Sequence, residues 1–146
     1  MIQRINVYSY LEMRDALPFL AEDAKIVGCA DTGNFLAPLF SSDSHKLLLV
    51  FDDCLPGADP QLPMSAEQAL QVVRYLSELI DTRVRHDLHV HCVEGQARSA
   101  AVAKVAAFMS GLEAKYITST NQLNPNQHVE TLLIRVYRDV VVGGVA

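Results

Sequence analysis

A cysteine and an arginine stand six positions apart in the segment His91-Cys92-Val93-Glu94-Gly95-Gln96-Ala97-Arg98-Ser99. A short apolar strand leads into this segment and an alanine-rich helix leads out of it. A strand that turns directly into a helix leaves several backbone N–H groups facing one concavity, and with the positive helix end they form an anion site. Val93, Glu94, Gly95, Gln96 and Ala97 are expected to line that site, with Gly95 allowing a tight turn and close approach to a ligand. Arg98, in the first helical turn, can hold two oxygens of a phosphate with its planar fork. Cys92 lies at the centre of this positive field, where a cysteine tends to ionise, and the thiolate is the nucleophile. Ser99 is placed to donate a hydrogen bond to the sulfur when it later departs. His91 is expected to hydrogen-bond backbone near Cys92 and fix the loop, rather than to act as acid or base.

The elements that would position these residues alternate in type. Ile5–Tyr8 reads as a strand, about Glu12–Leu20 as a helix, and Lys25–Ala30 as a second strand. The stretch from Asp31 to Ser44 is mostly loop. Lys46–Phe51 is a continuous apolar run, the pattern of a strand covered on both faces. It ends at Asp52-Asp53, and a Pro/Gly loop runs from Cys54 to Met64. Ser65-Ala66-Glu67-Gln68 has the form of a capping box, followed by Ala69, Val72, Val73, Leu76, Leu79 and Ile80 on one helical face. Leu88–His91 is the strand before the cysteine. The helix from Arg98 to about Ser110 is apolar almost all round, Phe108 included, so burial at the centre is expected, with Gly111 as its cap. A last helix starts near Asn126 and turns Val129, Leu132, Leu133, Val136, Tyr137 and Val140 to one side. This order predicts an α/β domain over residues 1–146, with a mainly parallel central sheet and helices on both faces.

Around Cys92 the sequence resembles the cysteine-dependent protein tyrosine phosphatase superfamily, whose signature is His-Cys, five residues, Arg, then Ser or Thr. The small dual-specificity-type phosphatases resemble it most, their loop often carrying Glu and Gly where Glu94 and Gly95 stand. The resemblance runs roughly from Leu47 to Tyr137 and takes in the Asn124-Pro125-Asn126 before the last helix; the first 45 residues match in outline. It implies hydrolysis through a cysteinyl-phosphate intermediate, with no cofactor. Cys92 takes the phosphoryl group, and an aspartate protonates the leaving oxygen and then activates water. Asp53 is the first choice for that acid, with Asp52 and Asp59 as alternatives. Asp53 precedes Cys92 by 39 residues, a long separation for the family, and Asp59 is nearer the usual one.

Composition narrows the partners. The chain has 146 residues, half of them apolar, and a net charge of −5. That balance disfavours a nonspecific nucleic-acid binder, which would carry a basic face. No apolar segment reads as a signal peptide or a membrane span. Three cysteines without a CxxC spacing suit free thiols in a reducing, cytoplasmic setting. Cys54 beside Asp53 is read as a partly buried bystander, with a redox partnership to Cys92 as the sharper alternative; Cys29 reads as core. His89 and His91 share a strand face, but no third ligand accompanies them and no metal site is expected. The expected substrate is a phosphorylated protein, as phosphotyrosine or with mixed specificity, or a small phosphomonoester. The competing readings are a non-catalytic phosphate-binding module on the same fold and a sulfurtransferase or arsenate reductase. The sequence does not fix the oligomeric state.

Overall fold

Alternating side-chain direction along the strands organises the sheet in a computed structural model that describes residues 1–33 and 36–143. Strands β1 (Ile2–Tyr8), β2 (Lys25–Ala30), β3 (Lys46–Val50), β4 (His86–His91) and β5 (Ile117–Ser119) form one sheet in the order β3-β2-β4-β1-β5. Every pairing is parallel. Ile5, Val7, Val27, Cys29, Leu49, Leu88 and Val90 face the main core. Helices α2 (Ala66–Asp81), α3 (Arg98–Ser110) and α4 (Gln127–Tyr137) pack on one another over that face. Helix α1 (Tyr10–Ala16) follows the crossover that runs the opposite way along the sheet, so right-handed connections put it on the other face. Its Met13 and the β2 residue Ile26 are fully buried outside the main core. The expected α/β architecture, a single domain with helices on both faces, is the observed one.

Helix ends follow local chemistry. At α2, Ser65 accepts from the Gln68 amide while the Gln68 side chain accepts from the Ser65 amide, closing the expected capping box. Helix α3 spans the predicted residues and stops at Gly111, whose φ of 67° is the left-handed conformation glycine tolerates. Helix α1 starts two residues earlier than expected because Ser9 and Glu12 form a second capping box. It gives way at Leu17–Phe19 to a single 3₁₀ turn around Pro18, which lacks an amide to continue the helix.

Four expectations need correction. The apolar run at β3 is an edge strand, half-buried, with Val50 at 48% exposure, rather than a strand covered on both faces. Phe108 is 55% exposed and edge-on to Tyr137, because it lies one turn after exposed Lys104 on the solvent face of α3, while its neighbours Ala106 and Ala107 are buried. Val140 lies beyond α4 in a π-helical turn, Arg138–Val142, and is exposed. The fourth is a strand absent from the expected order: past α3, a 3₁₀ turn at Ala114–Tyr116 leads into β5, too short to show a pattern.

Candidate active site

The carboxyl ends of parallel strands gather at one edge of a sheet, and ligands in open α/β sheets bind there. Cys92 directly follows β4 and is 3% exposed. Its Sγ lies 3.0 Å from Ser99 Oγ and accepts from the Gly95 amide at 3.2 Å. Two donor groups therefore converge on one sulfur at the floor of the loop. The structure brings Cys92, Gly95 and Ser99 together at the floor of the loop.

The loop is clamped from outside through its carbonyls. Val93 O accepts from the Tyr10 amide at 3.0 Å, Gln96 O from the Asn124 amide at 2.7 Å, and Ala97 O from the Asn126 amide at 3.1 Å. In a trans peptide the N–H of the next residue points opposite to the carbonyl. The amides of Glu94, Ala97 and Arg98 are thereby turned away from the clamps and toward the concavity over the sulfur. Gly95 completes the turn at φ 71°, packed so closely on β1 that a Cβ would sit 2.6 Å from Ser9 N and 2.7 Å from the Tyr8 carbonyl carbon. Glu12 joins two of the clamps. Its carboxylate accepts from the Ser9 amide, from Asn121 at 2.7 Å and from Thr120, and these bonds lower its pKa to about 2.

Arg98 is buried, with its guanidinium turned toward the ends of β2 and β3. Nη1 donates to Phe51 O at 2.6 Å and pairs with Asp31 at 2.7 Å. Its Nε is buried and has no partner among the described residues. Sequence reasoning missed Asp31. Its available signal was an acidic residue placed just past a strand, at the ligand-binding edge of a parallel sheet.

The three candidate acids separate clearly. Asp52 is buried and accepts three hydrogen bonds: from the Thr32 amide at 3.0 Å, the Thr32 hydroxyl at 2.8 Å and the Leu62 amide at 2.9 Å. The Leu62 and Thr32 amides hold its pKa below the usual carboxylate range. The place once open to it as acid is therefore taken by a structural use, tying the loop after β2 to the loop after β3. Asp53 is exposed and accepts from Asn126 Nδ2 at 2.8 Å. Asn126 itself caps α4 through the Val129 amide and bonds Ala97, so Asp53 is tethered to the Cys92 loop through one side chain. Asp53 and Ala97 also line one open groove of about 330 Å³. Asp59 is exposed farther along, with no side-chain hydrogen bond to the Cys92 loop among the described residues. Asn126 was visible in the sequence only as part of Asn-Pro-Asn, and its contact with Asp53 spans 73 positions.

His91 departs from expectation. Its ring is buried beside Gly28, where a Cβ would come within 2.5 Å of Nε2, and edge-on to Phe40. Neither ring nitrogen has a hydrogen-bond partner among the described residues. Burial lowers its pKa to about 4, and the nearby Cys92 amide offsets part of that shift without meeting hydrogen-bond geometry. The ring thus supports the loop by filling space, not by the expected backbone bond. His89, on the same face, is held by the Tyr8 hydroxyl at 2.8 Å. Cys54 is buried, and burial together with Asp52 and Asp53 raises its thiol pKa. Extending the Gly28–His91 register by one residue sets Cys29, rather than Cys54, across from Cys92.

No family model and no curated protein matches this chain. Among solved structures it is similar to one described as Tk-PTP in the active form, at 17% identity and a TM-score of 0.42, covering 93% of this chain and 79% of that one. A likeness at that level carries no argument about activity or site residues. No helix of the described residues is long and apolar enough to cross a membrane.

Proposed function

We propose that residues 1–146 form a single catalytic domain of the protein tyrosine phosphatase type, which hydrolyses phosphomonoesters in two steps. One observation carries the reading: a cysteine sulfur meets the Ser99 hydroxyl and the Gly95 amide at the base of a loop clamped from outside through three carbonyls, beside an arginine whose buried Nε has no partner among the described residues. A neutral ligand would have no use for so many converging donors. A phosphoryl group would accept from the Glu94, Ala97 and Arg98 amides and from Arg98 Nε.

In the first step Cys92 Sγ attacks phosphorus, the P–O bond to the leaving group breaks, and Asp53 gives that oxygen its proton. In the second, Asp53 takes a proton from water as the water oxygen attacks phosphorus, and Cys92 leaves as thiolate beside Ser99. Acid–base help of this kind is worth about 10²–10⁴ in rate. Asp52 is unsuited to the role, since three donors keep it ionised with no proton to give. Phosphotyrosine, with phosphoserine or phosphothreonine as further substrates, is the protein substrate class proposed.

The test is hydrolysis of a small aryl phosphate from acidic to neutral pH. Wild type is expected to turn it over and to yield a trapped cysteinyl phosphate on Cys92, whereas Cys92→Ser is expected to be inactive. Equal rates for the two proteins would end the proposal.

A further inference from the structure

Charge is distributed very unevenly about the ligand-binding edge. The connections that leave the carboxyl ends of the strands (residue 9, 31–45, 51–65, 92–97 and 120–126) contain no Lys or Arg. They contain Asp31, Asp52, Asp53, Asp59 and Glu94 at that edge, while Asp43 accepts from the Lys46 amide at the start of β3, on the opposite edge. Arg98, the first residue of α3, borders this edge, but it is buried and already paired with Asp31. Lys104, farther along α3, is paired with Glu130 at 2.7 Å. The basic residues Lys25, Lys46, Arg83 and Arg85 start strands or precede them, at the opposite edge of the sheet.

The acidic rim alone defines no site. The site is defined by the anion loop and by Arg98 Nε, a buried and unpartnered donor at its base. Together they describe a ligand with two parts: one anionic group small enough to reach the loop, and a surrounding body that meets Glu94, Asp53 and Asp59, all exposed. We infer that the preferred substrate is a phosphotyrosine flanked by lysine and arginine, and that polyanionic phosphoesters are disfavoured. This rests on the phosphatase reading above and deepens it to a substrate class.

The physical basis is long-range and screened. Opposite charges across a rim raise the encounter rate and hold register, while like charges oppose approach. A small aryl phosphate carries only the phosphoryl charge common to every substrate compared, whereas a peptide with several charged flanking residues adds charge that the rim meets directly. The effect must fade as the screening length falls to about 3 Å near 1 M salt.

The experiment compares two peptides with the same phosphotyrosine, one flanked by Lys and Arg and one by Asp and Glu, with an inositol polyphosphate and a small aryl phosphate alongside. The expected kcat/KM ratio of basic to acidic peptide is about ten-fold at low salt, falling toward one at 1 M salt. Glu94→Lys should shrink that ratio, which is read within a single variant and so cancels any change in its turnover. Equal rates on the two peptides, or better turnover of the acidic peptide or the inositol polyphosphate, would overturn the inference while leaving the phosphatase reading intact. Failure on every phosphoester, aryl phosphate included, would instead remove the phosphatase reading. Titration of Cys92→Ser with both peptides then still decides the preference: tighter binding of the basic peptide sustains it, and equal or reversed affinity overturns it.

Discussion

Ser99→Ala isolates one step of the proposed reaction. Ser99 is fully buried, with its Oγ 3.0 Å from Cys92 Sγ, so the substitution deletes one oxygen and leaves packing otherwise unchanged. A hydrogen bond to a charged partner contributes about 1.5–3 kcal/mol. The sulfur carries negative charge before attack and again as it leaves, but is bonded to phosphorus and nearly neutral in the intermediate. Losing the hydroxyl therefore raises the free thiolate and the departing thiolate alike. In the attack step the loss falls on the ground state, where a less stabilised thiolate is rarer but more nucleophilic, and the two effects oppose. In the hydrolysis step it falls on the transition state alone. At ten-fold per 1.36 kcal/mol, the second step should slow by about 10- to 150-fold. The cysteinyl phosphate should then accumulate, and rapid-quench mixing with an aryl phosphate should show a burst of aryl alcohol approaching one equivalent. A fall in kcat of that size with no burst and no trapped intermediate would refute the assignment of Ser99 to leaving-group stabilisation.

Other substitutions test the rest of the site. Asp53→Asn should lower turnover of a poor-leaving-group substrate by about 10²–10⁴, while Asp59→Asn should leave it nearly unchanged; the reverse order would move the acid to Asp59. Gly95→Ala places a Cβ 2.6 Å from Ser9 N at a φ of 71°. The strained conformation costs about 1–2 kcal/mol and the overpacking about 1–3 more, so urea unfolding should show a loss of about 2–5 kcal/mol together with lost turnover. His91 has its folded pKa lowered from an unperturbed 6.5 to about 4, so the unfolded chain takes up its proton first as pH falls. Stability is whole above pH 6.5 and declines down to about 4, by about 3 kcal/mol for a shift of this size. Unfolding of wild type against His91→Gln at pH 7 and pH 4 should show that difference, and parallel losses in both proteins would contradict it.

What could be read from the sequence was local, and what could not was long-range. The Ser65 capping box, the Gly111 stop and the Cys92–Arg98 spacing each depend on residues a few positions apart, and each is where the pattern put it. Strand order is a different kind of fact. The run Lys46–Val50 is as apolar as a central strand, and nothing within it tells that it will pair on one side only, with β2. Strand β5 has three residues, two half-buried around an exposed Thr118, too few for any period to register. Asp52 and Asp53 are neighbours of one type, and they part only because Thr32 and Leu62 reach the first and Asn126 the second. Asp31 meets Arg98 across 67 positions, a contact that no local window holds.

The same long-range contacts hold the short Cys92 loop in place. The three clamps on the loop come from two connections: Tyr10 from the start of α1, Asn124 and Asn126 from the segment after β5. Glu12 fastens these two connections to each other through Ser9, Thr120 and Asn121. Its lowered pKa, about 2, follows from those bonds, so the brace contributes in full above the ordinary glutamate value and is lost only as pH falls through about 2. The His91 window, from 6.5 to about 4, lies above it. Acid should therefore loosen the packing beneath the loop before it releases the clamps around it. In wild type, amide exchange of residues at the β2–β4 pairing beside His91 should accelerate between pH 6 and 4 relative to the intrinsic rate, while the amides of Tyr10, Asn124 and Asn126 stay protected. Loss of protection at the clamps first would mean that the loop is held by His91 and not by Glu12.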